Sequence, residues 1–254
     1  ALSNSIHAEQ CLMMNALLNG ERGLKVLAVS EAPCGHCRQF YAELTNADTV
    51  TFVFGAAVAS TNTTHTHAEG EPPCTDDHSP PAPSLFPTYS LDQLLPSKFG
   101  PEALQGDVRF PLLLDVQDNM VQPSAAALIL LAQRATDLLF VQAAALAALW
   151  ANKSYSPYTK CPSGAAIITT GGKVYGGGYV ESAAFNPSFG PFHASWVAAL
   201  TDNVFGFDQI KEVVLAELPG CPVLHTLAIR ALLQTISPNA TLTTLDIRFM
   251  LTKK

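Results

Sequence analysis

The sequence predicts an α/β chain built from two similar units in tandem, and three observations carry that reading. Its 254 residues are 48% apolar and 14% charged, enough to bury a core and too apolar for a disordered tail. Helix-period and strand-like segments alternate along its length. One order of landmarks also occurs twice. His7-Ala8-Glu9 is followed by an apolar helical stretch and a strand-like run ending in Pro33-Cys34-Gly35-His36-Cys37. His193-Ala194-Ser195 is followed by a helical stretch, the run Val213 to Leu218 and Pro219-Gly220-Cys221. Cys34 stands 27 residues after His7 and Cys221 stands 28 after His193, so spacing and element order together point to a duplication.

In chain order, Asn4-Ser5 precedes an apolar run of period near 3.6 (Cys11, Leu12, Ala16, Leu17), which places His7 and Glu9 in the first turn of a helix ending at Asn19-Gly20. Pro33 opens a second helical stretch, Cys34 to Leu44, with Phe40, Tyr41 and Leu44 on its apolar face. Thr61 to Pro87, dense in Thr, His, Pro and Ser, reads as a mobile surface insertion. Tyr89 to Leu95 reads as a short helix opened by Ser90, and Val108 to Val116 as a strand. Gln117 to Ser124 leads toward the second unit. There Leu138 to Ala151 reads as a helix, and Ala165 to Thr170 with Val174 to Val180 as a hairpin turning at Gly171-Gly172. The division expected is a first domain over 1–118, with the insertion at 61–87, a linker over 119–136 and a second domain over 137–254. The first unit has six residues before its His-Ala pair, where the second has a helix and a hairpin. That asymmetry predicts a natural chain extending about fifty residues upstream of Ala1, carrying strands the first sheet needs.

Charge and cysteine usage narrow the function. Asp+Glu 21 against Lys+Arg 14 gives a net charge of −7, which argues against a strong grip on nucleic acid. The most apolar stretch, Leu138 to Trp150, contains Gln142 and falls short of the ~20 residues a bilayer span needs, so no membrane role is expected. Six cysteines scattered over this length make no disulfide framework, and a reducing, cytoplasmic setting is expected.

Both Cys34 and Cys37 fall at a helix N-terminus, where unpaired N–H groups and the helix dipole favour thiolates. One imidazole and two thiolates suit Zn²⁺, with His7, Cys34 and Cys37 as ligands and a fourth position for water, whose pKa zinc lowers to ~7. Glu9 is two residues from His7 and free to carry protons. The rival chemistry is a redox Cys-x-x-Cys, since Cys34-Gly35-His36-Cys37 is letter for letter the core of protein disulfide isomerases. Pro33 stands where that family has Trp, and the upstream His-Ala-Glu has no redox role. A second triplet, His67-Ala68-Glu69, lies in the insertion with only Cys74 after it and reads as loop. The glycines from Gly171 to Gly178 lack a following Gly-Lys-Ser/Thr and read as a hairpin rather than a phosphate loop.

His-Ala-Glu followed by Pro-Cys-x-x-Cys is the zinc-deaminase pattern. The run Pro33-Cys34-Gly35-His36-Cys37-Arg38-Gln39-Phe40 resembles cytidine deaminases that act on free nucleosides. Leu94-Leu95-Pro96 through Phe99-Gly100-Pro101, and Glu181 through Ala183-Ala184-Phe185-Asn186-Pro187, resemble the two-domain branch of bacteria and plants. The resemblance implies two tandem α/β/α domains with mixed sheets, the second a non-catalytic copy, which fits Ser195 in place of Glu9 and Val223-Leu224 in place of Cys37. It implies hydrolytic deamination of cytidine and 2′-deoxycytidine in pyrimidine salvage, with Zn²⁺ as cofactor, a nucleoside as the small-molecule partner, and a homodimer. Glu9 would be the catalytic proton carrier. The Ala8 N–H would bond the pyrimidine O2, Phe99 would wall the base, and Ala183 or Ala184 would close the site of a dimer partner. The family's base- and sugar-reading Asn and Glu lie upstream of where this sequence begins. Two other classes stay open: an inactive zinc-binding homologue with a structural role, and a polynucleotide cytosine deaminase.

Overall fold

The computed structural model describes residues 5–55, 86–105, 110–204 and 206–250. Two mixed sheets organise them. The second is the fuller, with β4 (Val121–Pro123), β5 (Ser163–Thr169), β6 (Val174–Gly178), β7 (Ile210–Glu217) and β8 (Thr241–Phe249) in the order β4-β8-β7-β5-β6. Only β7 and β8 run parallel. Alternation in β5 and β7 sends side chains to two buried faces. Ala166, Ile168, Val214 and Ala216 pack under α6 (Leu138–Asn152), while Ala165, Ile167, Val213 and Leu215 pack under α7 (Pro191–Thr201) and α8 (Thr226–Ile236). The result is an α/β/α sandwich. The hairpin β5–β6 forms as the sequence indicates, with Gly172 at φ +79° in its turn.

The first sheet holds β1 (Val26–Ala28), β2 (Thr51–Val53) and β3 (Thr88–Tyr89), in that order, with β1 and β2 parallel and β3 antiparallel. Beside it lie α1 (Ala8–Leu18), α2 (Gly35–Tyr41), α3 (Leu91–Leu94) and α4 (Pro101–Gln105). The parallel pair β1–β2 corresponds to β7–β8, but where β7 pairs onward with β5, the outer edge of β1 has no partner strand among the described residues. The core of this half closes on the other half. Met13, Met14, Leu27, Phe40, Tyr41 and Phe52 cluster with Tyr155, Val180, Phe189, Ala194 and Val197 of the second copy.

Several expectations are corrected. The segment 119–136 is not a linker, because β4 pairs antiparallel with β8 and α5 (Ala125–Gln133), capped by Ser124, packs on the same sheet. Residues 110–116 form no strand beyond a single bridge from Leu113 to Leu44. Pro111 has no N–H, Asp115 turns back to accept the Leu112 N–H, and Leu114 sits at φ +83°. Tyr89 ends β3 and stacks on Phe54, so the next helix begins at Leu91 behind a capping box of Ser90 and Gln93. Residues 56–85, with His67, Glu69 and Cys74, and the cap candidate Asn4 lie outside the described residues. No helix among those described is long and apolar enough to cross a membrane.

Candidate active site

The site is built on two helix starts. His7 is the N-cap of α1 and Cys34 the N-cap of α2, both in extended backbone, and neither side chain caps its own helix. The sequence places Asn4-Ser5 at the α1 start. Taking His7 as the cap instead leaves its ring free to turn toward α2. Cys37 follows in the first turn of α2. After Tyr41 the helix tightens into i→i+3 turns through Leu44. Arg38 ties the loop ahead of α2, donating from Nε to the Pro33 carbonyl at 2.7 Å and from Nη1 to the Leu94 carbonyl at 2.9 Å.

Cys34 Sγ lies 3.5 Å and Cys37 Sγ 3.4 Å from His7 Nδ1, and the three donor atoms lie within 4.8 Å of one another. Four-coordinate zinc, with Zn–N of about 2.0–2.1 Å and Zn–S of about 2.3 Å, holds imidazole N and thiolate S about 3.6 Å apart. Both nitrogen–sulfur separations therefore fit a shared zinc. Among the described residues no other three such donors converge.

The electrostatics modify the sequence expectation for the thiols. Cys37 is fully buried, and its thiol is raised well above the ordinary range, first by burial and then by the Glu9 carboxylate. At Cys37 burial therefore outweighs the helix N-terminus, and metal binding must displace a thiol proton. Glu9 is half-buried, and its charge reaches Cys37, His36 and Tyr41, which puts it beside the donors. His36 stacks on His7 with ring centroids 5.1 Å apart. Burial, and then His7, lower its basicity.

The remaining predicted residues divide. Ala8 is exposed in the first turn of α1, where helix geometry leaves its N–H without an intrahelical acceptor. Phe99 is 45% exposed, and its carbonyl accepts from the Gln39 side chain on α2, which places it beside the site. Ala183 is fully buried, and its N–H donates to Glu43 Oε1 of its own chain at 2.7 Å. Ala184 is half-buried in the same loop.

Copy two differs at the corresponding place. Gly190-Pro191 starts α7 two residues before His193, so that histidine lies inside the helix. Ser195 is fully buried and donates to the Pro191 carbonyl at 2.6 Å. A Cβ at Gly177 would meet the Ala194–Ser195 backbone at 2.4 Å, so α7 lies close on β6.

The contacts of three residues escaped the sequence reading, Asn186 being noted there only within the run that carries the resemblance. Glu43, just past α2, accepts hydroxyls from Tyr155 at 2.8 Å and Tyr158 at 2.6 Å as well as the Ala183 N–H. Gln10 and Asn186 also bridge the copies. Their partners are more than a hundred residues away, and no local signal marks them. A cleft of about 480 Å³ runs between the copies, with His7, Gln10 and His36 on one side and Asn186, His193 and His225 on the other. Glu9 and both thiols lie outside its lining.

Taken together, the sandwich and the imidazole–dithiol group define a zinc-binding α/β protein. Residues 1–56 and 91–229 each match the cytidine and deoxycytidylate deaminase zinc-binding region. Cytidine deaminase 1 of Arabidopsis thaliana is 38% identical over 239 residues, covering 94% of this chain and 73% of its own length. Cytidine deaminase 6 of the same plant is 37% identical over 249 residues, with the same coverage. A cytidine deaminase of Yersinia pestis is 37% identical over 218 residues, 85% of this chain and 58% of its own. A crystal structure of a cytidine deaminase from Burkholderia pseudomallei aligns over 42% of this chain and 88% of its own, at a TM-score of 0.36 and 22% identity. The chain belongs to the zinc-dependent cytidine deaminase family, whose members are hydrolases, and it carries two of that family's domains in tandem.

Proposed function

We propose that this chain converts cytidine and 2′-deoxycytidine to uridine and 2′-deoxyuridine with release of ammonia, in pyrimidine salvage, using His7, Cys34 and Cys37 to hold Zn²⁺. The observation that carries the proposal is the convergence of those three donors within 4.8 Å, with Glu9 two residues from His7. Zinc bound there supplies Lewis-acid chemistry that makes a water nucleophilic near neutral pH. Glu9 takes a proton from the attacking water as its oxygen bonds to C4, and passes that proton to N3 of the ring. It then carries a proton from the new hydroxyl to the C4 amino group, which leaves as ammonia while the carbonyl forms. The Ala8 N–H, at the free end of α1, bonds the pyrimidine O2, and the Phe99 ring walls the base. The second copy is non-catalytic, since Ser195 is buried against carbonyls and cannot shuttle protons. A homodimer belongs to the same reading, and sedimentation tests it.

The deciding experiment follows cytidine turnover by its ultraviolet change, with zinc measured on the same sample. One zinc per chain with turnover is expected. Two zincs per chain would refute the asymmetry between the copies, and one zinc without turnover would favour a structural role.

A further inference from the structure

The loop 183–187 of the second copy touches both ligand-bearing helices of the first. Gln10, one residue past Glu9 on α1 and buried, donates from Nε2 to the Pro187 carbonyl at 3.0 Å. Asn186 Nδ2 lies 3.1 Å from His36 Nδ1, in the first turn of α2 between Cys34 and Cys37. With the amide nitrogen as donor, His36 Nδ1 accepts and the ring proton sits on Nε2. At the far end of α2, Glu43 takes the Ala183 N–H. The loop is tightly wound. Phe185 N–H donates to the Ser182 carbonyl, Asn186 N–H to the Ala184 carbonyl, and Ser182 N–H to the Ser188 hydroxyl. Phe185 holds φ +59°.

These contacts avoid the three donors and grip their neighbours. His36, held by Asn186, lies stacked on His7 with the ring planes 27° apart. Gln10, held by Pro187, is within one helical turn of both His7 and Glu9. We propose that Asn186 and the Pro187 carbonyl are positioning elements for the metal centre. Asn186 sets the tautomer and plane of His36 and, through the stack, the ring of His7, while Pro187 fixes the start of α1. The second copy thereby shapes a site whose chemistry it does not perform. The inference rests on the assignment of His7, Cys34 and Cys37 as ligands.

The test uses the full chain loaded with Co²⁺ for its visible spectrum and with Zn²⁺ for release to excess chelator. Asn186→Ala should speed zinc release about 3- to 10-fold, the reach of one hydrogen bond, and alter the cobalt spectrum. Asn186→Gln, which keeps an amide donor, should restore part of both. In a His36→Phe background, which keeps the stack and removes the acceptor, Asn186→Ala should do nothing further. Asn186 is exposed, so its thermal midpoint should scarcely move. Gln10→Met, cutting the other contact from within the first copy, should shift release in the same direction. Unchanged release and spectra in both Asn186→Ala and Gln10→Met would overturn the proposal, as would an undiminished Asn186→Ala effect without the His36 acceptor. A wild-type chain that takes up no cobalt would instead overturn the ligand assignment, and this proposal with it.

Discussion

At the scale of single residues, the proposed mechanism separates holding a metal from moving a proton. Glu9→Gln keeps the shape and hydrogen bonding of the side chain and removes its proton affinity, so turnover should fall by about 10²–10⁴-fold while zinc content stays level. Unaltered turnover in that variant would refute the mechanism. His225 provides a second residue-level test. Burial, and then the neighbouring His193, lower its pKa from 6.5 to about 4. Its ring meets Tyr179 edge-on at 4.5 Å. Between those two values the unfolded chain binds a proton that the folded chain refuses, so this group makes stability rise with pH across the window and fall as acid is added. The slope it contributes is at most about 1.4 kcal/mol per pH unit. Glu43 and Glu181, raised mainly by burial, act in the opposite sense above the ordinary carboxylate range. The contrast with His225→Phe isolates the histidine. Wild type should lose stability more steeply than that variant from pH 6.5 down to 4, as denaturation at each pH would read.

Elements obey closer tolerances than their hydrophobic patterns suggest. The hairpin β5–β6 is pressed between α6 and α7, and its glycines set the approach. A Cβ at Gly164 would lie 2.3 Å from the Ala151 amide nitrogen in α6, and one at Gly177 would lie 2.4 Å from the α7 backbone. Backbone cannot swing aside as a side chain can, so Gly177→Ala should cost about 1–3 kcal/mol through displacement of α7. A lowered melting temperature would register that cost, and an unchanged one would mean α7 is more loosely seated than its contacts imply. Since α7 packs on α1, the displacement should also reach the helix that carries His7 and Glu9.

For the whole molecule, the two copies share one interior. The core of the first half includes Tyr155, Val180 and Val197 of the second, and Glu43 gathers two phenol hydroxyls and an N–H from across the boundary. Glu43→Ala leaves two buried donors, the Tyr155 hydroxyl and the Ala183 N–H, and the half-buried Tyr158 hydroxyl without that acceptor. At about 1–3 kcal/mol for each orphaned group, the variant should be destabilised by several kcal/mol and show a lower urea midpoint. Wild type should unfold in one transition by probes placed in either copy. Two separate transitions would show that the shared core does not couple them.

How much was legible in advance follows from how far each interaction reaches along the chain. His7, Glu9, Cys34 and Cys37 were readable because they lie one or two residues apart or flank a single helix start, and the hairpin and long helices because period and turn glycines are local. The imidazole–dithiol cluster, the duplication and the α/β class are thus determined by sequence alone. Tertiary structure decided the rest. A strand of three residues such as β4 is specified by its partner β8, which is why it and α5 read as a linker. The thiol of Cys37 is governed by burial that no spacing reveals. Gln10 meets Pro187, Glu43 meets Tyr155 and Asn186 meets His36 across 177, 112 and 150 residues. A helical turn brings together residues three or four apart, whatever the rest of the chain does, but such distant pairs meet only once both copies have packed.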